Sequence, residues 1–187
     1  MTTQIKAIIL ISLSLIGYLI QMYFQEQGSQ TYNAFLALYT ISPYSRPEGF
    51  IISAFLHGNL LHLGMNMVAL YGLSTMFPKK NSKFIRIYLI SLLLASLFSY
   101  LYVNFIEPSY VLGASGAIFG IFGYIFFKYN KRQEFFLNFL IFNVGMLFLG
   151  MPIAWYAHLG GSIAGILYYY YENDIIPKIK RNKMKRI

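Results

Sequence analysis

The chain predicts an all-α, polytopic membrane protein, and three observations carry that prediction. Of its 187 residues 57% are hydrophobic and only 11% are charged, against roughly 25% charged in soluble domains. The apolar residues fall into six runs, the longest at or beyond the roughly 20 residues that a helix needs to cross a hydrocarbon core of about 30 Å. The basic residues sit at the ends of these runs, not in a continuous stripe. A chain of this length so arranged forms one membrane unit, with no room for a separate soluble enzyme domain. Cysteine is absent, which excludes thiol catalysis, disulfides and thiolate metal sites.

The first run, 5–24, is too long for the core of a signal peptide and no small-residue cleavage site follows it, so it reads as a spanning helix. The second covers 50–77 and the third 84–105. The fourth, 115–127, is short; the fifth is 135–149 and the sixth 155–171, followed by a basic tail over 173–187. The connection 25–49 is long for a loop. It is rich in aromatic and aliphatic residues (Tyr32, Phe35, Leu36, Leu38, Tyr39), which disorder does not favour. A structure half-immersed in the outer leaflet is expected there.

Charge sets the orientation. Lys6 lies at the start of the first run, and Lys79, Lys80, Lys83 and Arg86 mark the second connection between runs. Lys128, Lys131 and Arg132 lie between runs four and five, and the tail carries Lys178, Lys180, Arg181, Lys183, Lys185 and Arg186. With six spans and both termini cytoplasmic, Arg46 alone of the fifteen basic residues falls outside, as the positive-inside bias requires. The net charge of +9 is therefore a topology signal against anionic lipid, not a nucleic-acid arm. A multi-pass plasma-membrane protein is expected, with the lipid bilayer as partner and no nucleic acid.

Counting depth from the inner surface brings polar residues together. Ser115 to Lys128 is 13 residues, roughly 20 Å of helix against a core of about 30 Å. Ser115 thus starts its helix below the outer surface, and the polar segment 104–113 before it must dip into the membrane. Such backbone needs protein or a water-filled cavity around it. His158 lies 14 residues from Glu172, and Asn66 lies 13 from Lys79, so both reach the level of Ser115. His62 shares the face of Asn66 one turn further out, and His57 counts to the outer surface.

Two readings of Ser115 follow. Between Gly113, Ala114 and Gly116 it is a small residue where helices touch, since Gly116 and Gly120 form a small-xxx-small pair, as do Gly161 and Gly165. Taken alone, that is the commoner meaning of such a serine. The other reading is a nucleophile, which needs a base to take its proton. His158 is the candidate base; Asn66, His62 and the free N–H groups at the helix start are candidate oxyanion donors. A group to orient the imidazole is missing, because the sole aspartate, Asp174, is cytoplasmic. Metalloprotease and aspartyl-protease chemistries lack their residues: no glutamate lies between His57 and His62, and no aspartate lies in a span. Serine chemistry remains, needing no metal or other cofactor.

Three motifs carry a resemblance: His57-x4-His62-x3-Asn66 in the second run, Gly113-Ala114-Ser115-Gly116 opening the fourth, and Ala157-His158-x2-Gly161-x3-Gly165 in the sixth. With these, in this order, the chain resembles the rhomboid intramembrane serine proteases in their compact six-helix form. The resemblance implies a six-transmembrane-helix rhomboid-like bundle with a membrane-dipping outer loop. It implies Ser115 as nucleophile, His158 as general base, and His62, Asn66 and the Ser115 backbone N–H as oxyanion hole. His57 would support the site near the cavity mouth, and Phe119 would stack on His158 where the family commonly has tyrosine. Substrates would be transmembrane segments of other proteins, cut near the outer surface, with lateral entry beside the fifth helix, whose Gly150-Met151-Pro152 connection is tight. The family's Trp-Arg pair before the second helix is absent, and Arg46 after Ser45 is the nearest substitute. The alternatives are a non-catalytic rhomboid-like protein that binds transmembrane helices and a small transporter. The latter would have no use for a glycine-flanked serine, and no inverted repeat is evident.

Overall fold

Large apolar side chains line the outside of this molecule as well as its core. The computed structural model describes residues 1–79, 81–148 and 153–177. Helix α1 (Thr3–Glu26) shows the pattern. Ala7, Leu10, Ser14, Gly17 and Gln21 are buried on one stripe, while Ile5, Ile8, Ile9, Leu13, Ile16 and Leu19 face outward. Lipid gives no reason to hide leucine, so the inward face is chosen for close approach and hydrogen bonding. Gly17 is one such position: a Cβ there would lie 2.5 Å from the Phe55 carbonyl oxygen.

After α1 come α2 (Ser29–Tyr39) and the short α3 (Gly49–Ile52), which runs into a 3-10 turn at Ser53–Phe55. The expected half-immersed connection is thus largely helical, with Phe35 and Leu36 buried and Phe24 stacked on Phe35 at 4.5 Å. The second run was expected to be one span over 50–77. It is instead broken, α3 with its 3-10 turn meeting α4 (Leu60–Thr75) at 94°. The cause is local. Asn59 is extended and its side chain accepts the His62 N–H as an N-cap, so a new helix starts there. His57 consequently lies in the bend and not on the helix with His62 and Asn66.

The remaining helices are α5 (Lys83–Phe105), α6 (Ser115–Lys128), α7 (Arg132–Phe148) and α8 (Trp155–Tyr170), the last followed by a π turn at Tyr171–Ile175. The end of the fifth run at Leu149, the Gly150-Met151-Pro152 connection and the basic tail from Lys178 onward lie outside the described residues. Among the described residues α1 and α5 are each long and apolar enough to cross a membrane, and the bent pair makes a third if taken as one span. There is no strand among them, only one isolated bridge between Ile41 and Val111.

Helix α6 is the centre, with ten of its fourteen residues buried. It packs against α5 and α8 nearly backbone to backbone. A Cβ on Gly161 would fall on the carbonyl of Gly116, and one on Gly165 on the carbonyl of Gly120. Gly120 also faces Ser91 of α5, and Gly160 of α8 lies against Leu94 and Phe98 of α5. At the end away from Ser115 the same three helices are tied by polar contacts: the Tyr124 hydroxyl donates to Glu172 at 2.7 Å, and Lys83 pairs with Glu172.

Submerged loops need their backbone groups paired. Ile41 and Val111 exchange N–H···O bonds of 2.9 and 2.8 Å, and Gly113 N–H donates to Ser53 O at 2.8 Å. Gln21 of α1 clamps the bend, donating to His57 O at 2.9 Å and accepting from His57 N–H at 3.1 Å. Arg46, the candidate loop anchor, is exposed and its side chain makes no hydrogen bond or ion pair among the described residues. The loop is held by its backbone and by Ser42, Ser45 and Thr40 instead.

Glycine positions separate packing from propensity. Gly165→Leu is expected to destabilise the bundle by about 3 kcal/mol, since the side chain must part α6 from α8. Gly64→Ala, where a Cβ meets nothing within 4 Å, should be neutral or raise stability by about 0.5–1 kcal/mol. Thermal and denaturant unfolding in detergent would measure both.

Candidate active site

Ser115 is the first residue of α6, behind Ala114, which offers no side-chain cap. The first-turn N–H groups therefore have neither an intrahelical acceptor nor a capping oxygen. Gly113 makes this start possible. Its φ is +116°, and a Cβ there would lie 2.7 Å from Cε1 and 2.9 Å from Nε2 of His62. Glycine meets both conditions, the backbone angle and the empty volume beside His62.

His158 is one turn into α8 and buried. Its Nε2 lies 2.8 Å from Ser115 Oγ. The ring is held on one face by Phe119, stacked at 4.2 Å with planes 21° apart. Phe119 is itself wedged edge-on against Phe122, Phe139 and Phe142. Gly116, below the serine, abuts Ala95 and the Ala157 carbonyl, which sets how near α8 comes.

Ser115 and His158 lie on the wall of a cavity of about 460 Å³ that His62 and Asn66 also line. Asn66 is buried and its Nδ2 has no hydrogen-bond partner among the described residues, an uncommon condition for a buried donor. The expected grouping of Ser115, His158, Asn66 and His62 is thus a spatial one. His57 differs. It is fully buried, with both ring nitrogens unpartnered, and packs edge-on to His62 at 5.1 Å. It therefore sits against His62, away from the residues that line the cavity, and not at its mouth.

Asn59, exposed just before α4, lines the cavity at the N-terminal end of that helix. Met65, Ala69 and Gly72 of α4 and Phe142 of α7 also line it, with Asn138 of α7 a polar residue among them, and the lining is mostly apolar.

One contact was not anticipated. Asn143 of α7 is buried, and its Oδ1 lies 2.7 Å from His158 Nδ1. The imidazole, which lacked an orienting carboxylate in the sequence, has an amide on its far nitrogen. A depth count would have found it. Arg132 to Asn143 is 11 residues, roughly 16 Å of helix, near the level reached by Ser115.

Residues 44–173, well over half of the chain, match the Rhomboid domain family profile. The chain belongs to the rhomboid family. It is similar to the mitochondrial Rhomboid protein 1 of Saccharomyces cerevisiae, 31% identical over an alignment 154 positions long that covers 71% of this chain and 44% of that one. The rhomboid protease GluP of Bacillus subtilis is 30% identical over 120 residues, 59% of this chain and 23% of its own. The mitochondrial presenilin-associated rhomboid-like protein of Rattus norvegicus is 29% identical over 155 residues, 72% and 41% of the two chains. This rhomboid-family chain thus spans less than half the length of these relatives.

The geometry at Gly113 has a measurable outcome. Gly113→Ala combines a positive-φ penalty of about 1–2 kcal/mol with a methyl pressed on His62. It is expected to slow labelling of Ser115 by a fluorophosphonate at least about tenfold while the helical content by circular dichroism is kept.

Proposed function

We propose that this rhomboid-family chain is an intramembrane serine endopeptidase that hydrolyses peptide bonds in or near the transmembrane segments of other membrane proteins. The observation that carries the reading is the 2.8 Å approach of Ser115 Oγ to His158 Nε2 on the wall of a cavity inside an apolar bundle. His158 takes the hydroxyl proton as Oγ attacks the scissile carbonyl, and later returns it to the leaving amine. Asn66 Nδ2, the His62 ring N–H and the Ser115 backbone N–H are the proposed donors to the oxyanion. Water then enters against His158, and the acyl-serine is hydrolysed to acid and free serine.

The mostly apolar lining that α4 and α7 contribute suits the entry of a membrane-embedded segment, and the end at Asn59 suits the entry of water. The proposed topology has six spans in a plasma membrane, both termini on the cytoplasmic side and the site opening outward. It is supported by the basic connections, which leave Arg46 alone on the outer side.

In liposomes with a model transmembrane substrate, Ser115→Ala and His158→Ala should abolish cleavage, and Asn66→Ala should lower kcat roughly 10²–10³-fold. Unchanged cleavage in Ser115→Ala would refute the mechanism. In the same assay, crosslinking a Met65→Cys/Phe142→Cys pair should block the membrane substrate; full activity in the crosslinked protein would refute lateral entry. The topology is tested in intact cells with an impermeant maleimide. Because the chain has no cysteine of its own, Ser45→Cys should label from outside and Lys131→Cys only after permeabilisation; the reverse pattern would refute the orientation.

A further inference from the structure

We propose that Asn143 is a positioning residue that completes a Ser115–His158–Asn143 relay, holding the imidazole in the one tautomer that can accept the serine proton. The proposal rests on the reading of Ser115 and His158 as nucleophile and base, and concerns the group behind them. Asn143 Nδ2 donates to the Phe139 carbonyl at 2.8 Å within α7, which spends the amide's donor side on its own helix. The oxygen is left facing His158 Nδ1 at 2.7 Å, and a carbonyl oxygen can only accept. Nδ1 therefore carries the proton. In a neutral ring Nε2 then presents its lone pair to Ser115 Oγ at 2.8 Å, as a general base must.

Burial makes the contact matter. Asn143 is 5% and His158 6% exposed, so water has little access to replace the bond. Without an acceptor the Nδ1–H would be a buried unpaired donor, and the tautomer with hydrogen on Nε2, which cannot deprotonate serine, would lose its disadvantage. An amide suits the place, because it supplies an acceptor without putting a charge into a helix that faces lipid. Phe119 restrains the ring plane from one face but cannot choose between tautomers. Asn143 can.

The bond also joins two helices. Helix α7 packs chiefly on α6 and presents Phe136, Leu137, Leu140 and Ile141 outward, so Asn143 is its polar tie to α8. The seating of α7 and the orientation of His158 are coupled through this atom pair.

The test compares Asn143→Leu, which keeps the size and removes the acceptor, with Asn143→Asp, which keeps an acceptor oxygen in either protonation state. Unfolding in detergent reports on the fold of each. For a model transmembrane substrate, Asn143→Leu is expected to lower kcat at least about tenfold with KM within about twofold, and Asn143→Asp to recover most of the loss. Histidine-selective 15N NMR, recorded in Ser115→Ala protein so that no turnover is needed, should show His158 protonated at Nδ1 and bare at Nε2. Adding Asn143→Leu should erase that preference. The proposal is overturned if Asn143→Leu keeps the wild-type kcat, if Asn143→Asp is impaired as much as Asn143→Leu, or if the tautomer is the same in both NMR samples. A wild-type chain that cleaves nothing would defeat the protease reading, and the NMR comparison would still decide what Asn143 does.

Discussion

The close approach of α6 and α8 is the constraint on which the rest of the molecule depends. In lipid there is little hydrophobic gain in bringing two helices together, so the attraction comes from packing and grows as backbones near one another. Gly116 and Gly120 on one side, and Gly161 and Gly165 on the other, remove every atom that would hold the backbones apart. Ser115 is the residue before Gly116, and His158 lies one turn before Gly161. The serine–histidine distance is thus set by the same contact that joins the helices. The two meanings open to Gly113-Ala114-Ser115-Gly116 are therefore compatible, since the packing contact also sets where the Ser115 hydroxyl lies.

Around that contact the chain solves a second problem, which is pairing the backbone of the non-helical segments packed among its apolar helices. The Ile41–Val111 bridge, the bond from Gly113 to Ser53 and the Gln21 clamp on His57 each join segments far apart in sequence. They hold the bend before α4 and the loop before α6 together. The start of α6 can then remain uncapped, because its surroundings are fixed by other bonds.

Much of this was legible in the chain, for a physical reason. A membrane imposes one length scale on every span, so counting residues from charged ends places side chains in a common frame. That count put Ser115, His158 and Asn66 at one level, and the structure places His158 against Ser115 and Asn66 on the same cavity wall. Features that depend on side-chain direction, not on depth, were out of reach. The bend at His57–Asn59 is an N-cap inside an apolar run, which the hydropathy of 50–77 conceals. Gln21 reads as a polar residue at a helix end until its three-dimensional partner is known. Asn143 is within reach of the depth count, but an amide at that level does not stand out in sequence as an orienting group in the way a carboxylate does. Whether Arg46 stands in for the absent Trp-Arg pair was open in the sequence; its side chain makes no bond among the described residues, and the loop is held by its own backbone and hydroxyls.

The bend has a consequence for supply. Hydrolysis consumes a water molecule for each bond cut, and a site enclosed by apolar helices must obtain it from somewhere. Where the chain turns by 94°, exposed Asn59 lines the cavity, while most of the remaining lining is apolar. Under the proposed chemistry the two reactants, a lipid-soluble peptide segment and water, reach Ser115 by different doors, and the hydrocarbon is never asked to carry both.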